Sequence, residues 1–407
     1  MSTNPAGSTW AGTYDFRASV LHTPASMNEL RGIVASAPRV RALGTRHSFT
    51  DLADSRQLVS LERLILEPVL DSGRAQVQVS AAMTYGALAA WLEDRGWALA
   101  NLASLPHISV AGAVMTATHG SGLSNASLSA GVRAVELVTG DGRQLRIDDT
   151  DPRLAGVVVS LGVLGVVTRL TLAVVPSYRV RQQTFAVKRW EDLVGDVPGL
   201  MRSAYSVSVF TDWADRHELL IKYREGDVEA AEHVGSTLVD LPDTENATPR
   251  RGVWGPWSER LAHFRMDARP SVGQEIQVEY LVDIGDAGSA LGAVRAVSDQ
   301  FAAHLFVAEI RAVAADDLWL SMAYLRDSLS IAFTCKPHAQ GVAAAVPVIE
   351  RALAPFQPRP HWGKVFSPAL DVAPLYPRID AFRALADELD PRGVFRNDFT
   401  ARVLGLE

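Results

Sequence analysis

The side chains best able to do chemistry in this chain recur every second residue in strand-like stretches. In 307–313, Glu309 and Arg311 share one face while Ala308, Ile310 and Ala312 share the other. In 275–280, Gln277 falls with Glu275 and Glu279, opposite Ile276 and Val278; in 328–335, Thr334 falls with Ser328 and Ser330, opposite Leu329, Ile331 and Phe333. Such faces combine carboxylate, guanidinium, amide and hydroxyl, the set that accepts from and donates to a small polar molecule. Water alone also satisfies a polar face, so a functional reading requires these strands to converge.

A second group of candidates is loop chemistry. The apolar run Val40, Arg41, Ala42, Leu43 breaks into Gly44, Thr45, Arg46, His47, Ser48 and Phe49. A strand ending in such a loop can offer successive backbone N–H groups to a phosphate, because Gly44 tolerates backbone angles and close approaches that other residues do not. The run Ala103, Ser104, Leu105, Pro106, His107, Ile108, Ser109, Val110, Ala111, Gly112 and the turn Thr116, Ala117, Thr118, His119, Gly120, Ser121, Gly122 have the same small, hydroxyl-rich character. Two such loops in one domain suit a long phosphorylated ligand held by main chain. His107 and His119 read as donors that fix these loops.

These three stretches resemble the FAD-binding half of the vanillyl-alcohol-oxidase superfamily, and within it the alditol (xylitol) oxidases and their aldonolactone oxidase relatives. The likeness runs nearly the whole chain and ends in His361, Trp362, Gly363, Lys364, Val365, Phe366, similar to the His-Trp-x-Lys signature of sugar and sugar-acid oxidases. The resemblance implies an α+β, two-domain FAD-linked oxidase fold: a PCMH-type FAD-binding domain (1–177), an antiparallel-sheet substrate domain (178–354), and a segment (355–407) returning to the first. It implies FAD attached covalently through His47 and contacted by Ala42, Leu43, Gly44, Thr45, Arg46, Ser48, Ser104, Ser109, Gly112, Thr116, Ala117, Thr118, His119, Val167 and His361. Substrate is expected at Ser104, Gln277, Glu309, Arg311, Thr334 and Lys364, with Arg311, Lys364 and Glu309 catalytic. The implied reaction takes a terminal alcohol of an alditol to the aldehyde and oxygen to hydrogen peroxide. Ala332 stands where these oxidases often have a histidine, and Ala103 is a small residue suited to admitting oxygen.

The elements that must position these groups follow from periodicity. Tyr14, Phe16 and Ala18 alternate as a strand would, and a helix capped near Thr23 or Ser26 follows. Residues 84–95 read as a helix with Leu88, Trp91 and Leu92 on one face and Gly96 as its stop. Gly140, Asp141 and Gly142 mark a hairpin between strands 132–139 and 144–147. The glycine-rich stretch 160–168 reads as a buried strand with bulges, or as main chain against a flat ring. Beyond Pro176, strands at 180–187, 205–210, 219–223, 275–282, 305–313 and 328–335 alternate with helices at 190–201, 287–302 and 342–354. Residues 241–256 form the long loop of that region, and 379–389 a closing helix.

Composition bounds the rest. With 407 residues and 48% apolar content, two cores are expected rather than one of about 150 residues. A net charge of −7 without a basic stripe disfavours nucleic acid and suits a small neutral substrate. The single cysteine, Cys335, excludes an intrachain disulfide. No signal peptide is visible, and the longest apolar run falls short of the roughly 20 residues a membrane helix needs. A cytoplasmic monomer is expected. No two-histidine helical motif or cysteine cluster suggests a metal. A nicotinamide-binding Rossmann enzyme is disfavoured because no Gly-x-Gly-x-x-Gly opens a helix. A non-catalytic binding module and an aldonolactone oxidase or dehydrogenase remain as alternatives.

Overall fold

A computed structural model describes residues 5–64, 66–228, 235–240, 244–268 and 274–406. Most of its strands fall into two large sheets, each with its own apolar core. The first is a five-stranded antiparallel sheet ordered Val69–Asp71, Gln76–Ser80, Val166–Ala173, Val132–Val138, Gln144–Asp148. Beside it, Val20–His22, Gln57–Val59 and Arg41–Ala42 pair in parallel. Helix Tyr85–Glu93 packs Leu88 and Leu92 into the same core. The Thr84 side chain accepts from the Ala87 N–H at its start, and Gly96 takes the left-handed backbone (φ 73°) just beyond its end.

Among the described residues the second sheet has nine strands, antiparallel throughout. At its centre Ser206–Thr211, Leu305–Val313, Ser328–Cys335 and Ile276–Asp283 lie side by side. One face sends Val209, Ala308, Ile310, Ile331, Phe333 and Val278 into a core shared with helices Ala287–Arg295 and Ala339–Leu353. The period of two therefore turns Glu309, Arg311, Thr334 and Gln277 the other way, toward the first half. Helices Ile379–Leu389 and Asp398–Leu404 bury Phe382, Leu385 and Phe399 in the first core. Arg41 ties that segment in: its guanidinium donates to the carbonyls of Leu52 (2.7 Å), Leu161 (2.6 Å) and Phe395 (2.7 Å).

Four sequence expectations are corrected. Tyr14, Phe16 and Ala18 do not form a strand; the Thr9 hydroxyl accepts from the N–H groups of Thr13 and Tyr14, a local turn that replaces a ladder, and the strand comes at Val20–His22. The helix expected at 190–201 is two, Trp190–Val194 and Val197–Arg202, because Asp196 caps a new helix by accepting from Gly199 at 2.9 Å. The helix expected at 287–302 ends at Arg295, and 3-10 turns follow. In 160–168 the strand begins only at Val166, since Leu161 (φ 52°) and Gly162 (φ 71°) make a left-handed turn beneath Arg41. Of the loop expected at 241–256, residues 241–243 lie outside the described residues.

Candidate active site

The Gly44 and Ser109 loops meet through one hydroxyl. Thr45 Oγ1 accepts from the Ser109 N–H at 3.1 Å and lies 3.1 Å from His47 Nδ1. A methyl group on Gly44 would stand 2.7 Å from Ser109 Oγ, and one on Gly112 2.8 Å, so both glycines keep this junction open. Trp10 stacks on the His47 ring with centroids 5.3 Å apart. Burial, helped by the charge of His107 and Lys364, lowers the His47 pKa to about 4, so the ring is neutral at pH 7. Its Nε2 is buried without a hydrogen-bond partner. His107 holds its loop as expected, with Nε2 3.0 Å from the Met266 carbonyl oxygen.

The third loop docks on the nine-stranded sheet. Gly122 N–H donates to the Ala312 carbonyl at 2.8 Å, and Arg311 Nη1 reaches the His119 carbonyl at 3.5 Å and Ser104 Oγ at 3.4 Å. The His361 motif bridges both halves. His361 N–H donates to the Glu279 carbonyl (2.9 Å), Val365 N–H to that of Gln277 (2.8 Å), and the Gly363 carbonyl accepts from Phe49 N–H (2.8 Å). Trp362 anchors the motif, fully buried, with Nε1 donating to Leu320 at 2.7 Å. These contacts place the Lys364 ammonium against Gln277 Oε1.

A cavity of about 1070 Å³ runs along this junction. Ala42, Leu43, Gly44, Thr45, Arg46, His47, Ser48, Ser104, Ser109, Gly112, Thr116, Thr118, His119, Val167 and His361 line it, as do Gln277, Glu309, Arg311, Thr334 and Lys364. Ala117 does not: it is fully buried in the first core, and its left-handed backbone (φ 51°) turns the loop from behind. Ala103 and Ala332 also face the cavity. Ala332 is the register partner of both Glu309 and Glu279, so a small side chain sits between two carboxylates.

The sequence reading placed Glu279 on the right face but gave it no role. It is the hub of the buried charge. Its Oε1 lies 3.1 Å from Arg311 Nη2, 3.0 Å from His119 Nε2 and 2.5 Å from the Ser330 hydroxyl. Burial would raise its pKa, but His119 and Arg311 outweigh that and hold the carboxyl well below its ordinary value. Arg311 answers in kind: burial opposes its charge, and Glu309 and Glu279 raise its pKa regardless. Burial lowers Lys364, and takes His361 down to about 3. His119, Glu279 and His361 bring one ligand atom each within 4.8 Å of one another, a grouping that sequence spacing did not suggest. The Arg311 guanidinium on the same carboxylate oxygen opposes a cation there. His263 was also missed; its N–H donates to the Ser104 carbonyl and its Nδ1 stands 3.5 Å from Glu309 Oε1.

Residues 18–148 match the FAD binding domain family and residues 263–403 the D-arabinono-1,4-lactone oxidase family. Alditol oxidase of Streptomyces sp. (strain IKD472 / FERM P-14339) is 42% identical, covering 97% of this chain and 98% of its own. The chain belongs to the alditol oxidase family. This family member is an FAD-dependent oxidoreductase. The L-gulono-1,4-lactone dehydrogenase of Mycobacterium tuberculosis (strain ATCC 25618 / H37Rv) is more distant, 30% identical over 99% of this chain and 100% of its own. In fold, this chain superposes on a cholesterol oxidase from B. sterolicum with a TM-score of 0.79 and 13% identity, covering 98% of this chain and 96% of that one. Among the described residues no helix is long and apolar enough to cross a membrane. FAD fits the site: the orphaned His47 Nε2 and the glycines with no room for a side chain face the cavity from the matched domain.

Proposed function

We propose that the protein oxidises the terminal carbinol of an alditol, such as xylitol or sorbitol, to the aldehyde with oxygen as electron acceptor, and that its FAD is tethered through His47. The observation that carries this reading is that Gln277, Glu309, Arg311, Thr334 and Lys364 line the cavity that His47 and Ser104 also line. FAD held by the His47 and Ser109 loops would supply a hydride acceptor for the carbinol carbon and a route for the electrons to oxygen.

The chain's own groups do the rest. Arg311 and Lys364 are cations on the substrate side and stabilise negative charge developing on the carbinol oxygen. The lowered pKa of Lys364 lets it exchange a proton with that hydroxyl more readily than an exposed lysine could. Glu309 flanks Arg311 (Oε1 to Nε 3.7 Å) and keeps Oε1 buried without a hydrogen-bond partner, an acceptor ready for a substrate hydroxyl. A neutral His47 ring retains a lone pair with which to bond the cofactor, and Trp10 fixes its plane.

The test is the stoichiometry of xylitol oxidation. One hydrogen peroxide per aldehyde supports the oxidase; turnover with a dye but no peroxide shifts the reading to the dehydrogenase chemistry named for the Mycobacterium relative. Acid precipitation tests the tether: yellow flavin should stay with the parent protein and leave the His47→Ala variant.

A further inference from the structure

The cavity continues well past Arg311. Register carries one row of residues across the sheet from Arg311 through Ser208 and Leu220 to Thr184, and a neighbouring row from Lys222 to Gln182. At about 4.8 Å per strand, Thr184 lies about 14 Å from Arg311. The end carbons of an extended pentitol are only about 5 Å apart, given C–C bonds of about 1.5 Å. A pentitol reacting beside Arg311 leaves that far region unfilled.

The far region is built for polar contact. Gln182 and Thr184 line the same cavity although they are only 1% and 3% exposed. Gln182 Oε1 and Thr184 Oγ1 have no hydrogen-bond partner, and Gln182 Nε2 reaches the Thr248 and Pro249 carbonyls only at 3.5 Å. Buried polar atoms are ordinarily paired, so two orphans on residues that line one space point to a ligand. Between them and the reacting end, Phe210 stands 5.8 Å from the His263 ring and offers an apolar platform of the kind on which a sugar's C–H face packs. Arg216 and Glu218, which also line the cavity, pair at 3.6 Å and so present little net charge.

We propose that this region is a second subsite that binds a neutral glycosyl unit carried by the alditol, making glycosylated alditols a substrate class of the enzyme. The inference rests on the alditol reading above. A neutral polyhydroxyl ring suits the amide oxygen of Gln182 and the hydroxyl of Thr184, whereas Arg250, which also lines the cavity, is the group a phosphate would seek, so sorbitol 6-phosphate is the rival occupant.

The experiment follows oxidation by the flavin-loaded enzyme with sorbitol, maltitol (sorbitol bearing a glucosyl unit) and sorbitol 6-phosphate. Maltitol should reach a kcat/KM within about fivefold of sorbitol. Thr184→Val and Gln182→Leu should each lower kcat/KM for maltitol by about tenfold while leaving sorbitol within about twofold, and Thr184→Ser should restore maltitol. Sorbitol oxidised and maltitol ignored would overturn the subsite alone; neither oxidised would bring down the alditol reading and the subsite with it. Preference for sorbitol 6-phosphate over maltitol would overturn the neutral occupant. Equal losses on both sugars, with a lowered melting temperature, would show that the two residues serve the fold.

Discussion

The loops around Gly44, Ser109 and Gly120 and the polar face of the nine-stranded sheet border one cavity but are made differently. The loops use small residues, positive backbone angles and contacts with no space to spare. The sheet uses long charged side chains held in register on rigid strands, balanced by one another. A site made of main chain is sensitive to added atoms and indifferent to charge. A site made of paired side chains is the reverse, tolerating isosteres that keep the shape but failing when a charge is removed.

The largest effect expected from breaking that contrast is Gly120→Ala. A methyl group there would overlap Asn101 Oδ1 and the Leu102 carbonyl, neither of which can swing away freely. Destabilisation of about 3 kcal/mol or more is expected, seen as loss of soluble, flavin-containing protein; normal flavin content would break the contrast. Glu279→Gln comes next. It preserves volume, so flavin loading should hold, but removing the charge that holds Arg311 and His119 should slow flavin reduction about 100-fold. A variant that instead loses flavin and reduces what remains at the parent rate would assign Glu279 to the cofactor wall.

The smallest effect sharpens the picture of the sheet. Lys222 is buried on it, its ammonium donating to the Leu261 carbonyl, and burial lowers its pKa from 10.5 to about 7. Between those two values the unfolded chain holds more protons than the folded one, so this residue makes stability rise with pH; below about 7 both states are protonated and its penalty is full. Lys222→Met should flatten the rise in melting temperature from pH 7 to 10, and an unchanged slope would remove Lys222 as its source.

Sequence revealed most where one local rule decides. Period two was enough to put Glu309 and Arg311 on a common face, and glycine with small hydroxyl residues marked the loops around His47 and Ser109. Glu279 stood in the same alternating row as Gln277, but a strand does not encode whether its polar face meets water or another domain. His263 comes from a loop without pattern and enters the site through the Ser104 carbonyl, a long-range contact. Alternation misled at Tyr14 to Ala18 because the Thr9 hydroxyl competes for the backbone.

Arg41 also bears on how the protein is made. Its three carbonyl partners lie 11, 120 and 354 residues along the chain. At about 5–20 residues per second, a ribosome needs roughly 20–70 s between making this arginine and its last acceptor. Until then a guanidinium destined for the interior lacks its full set of partners. Stable flavin capture is therefore expected only once Phe395 has been made, and a transcript cut short before it should yield apoprotein.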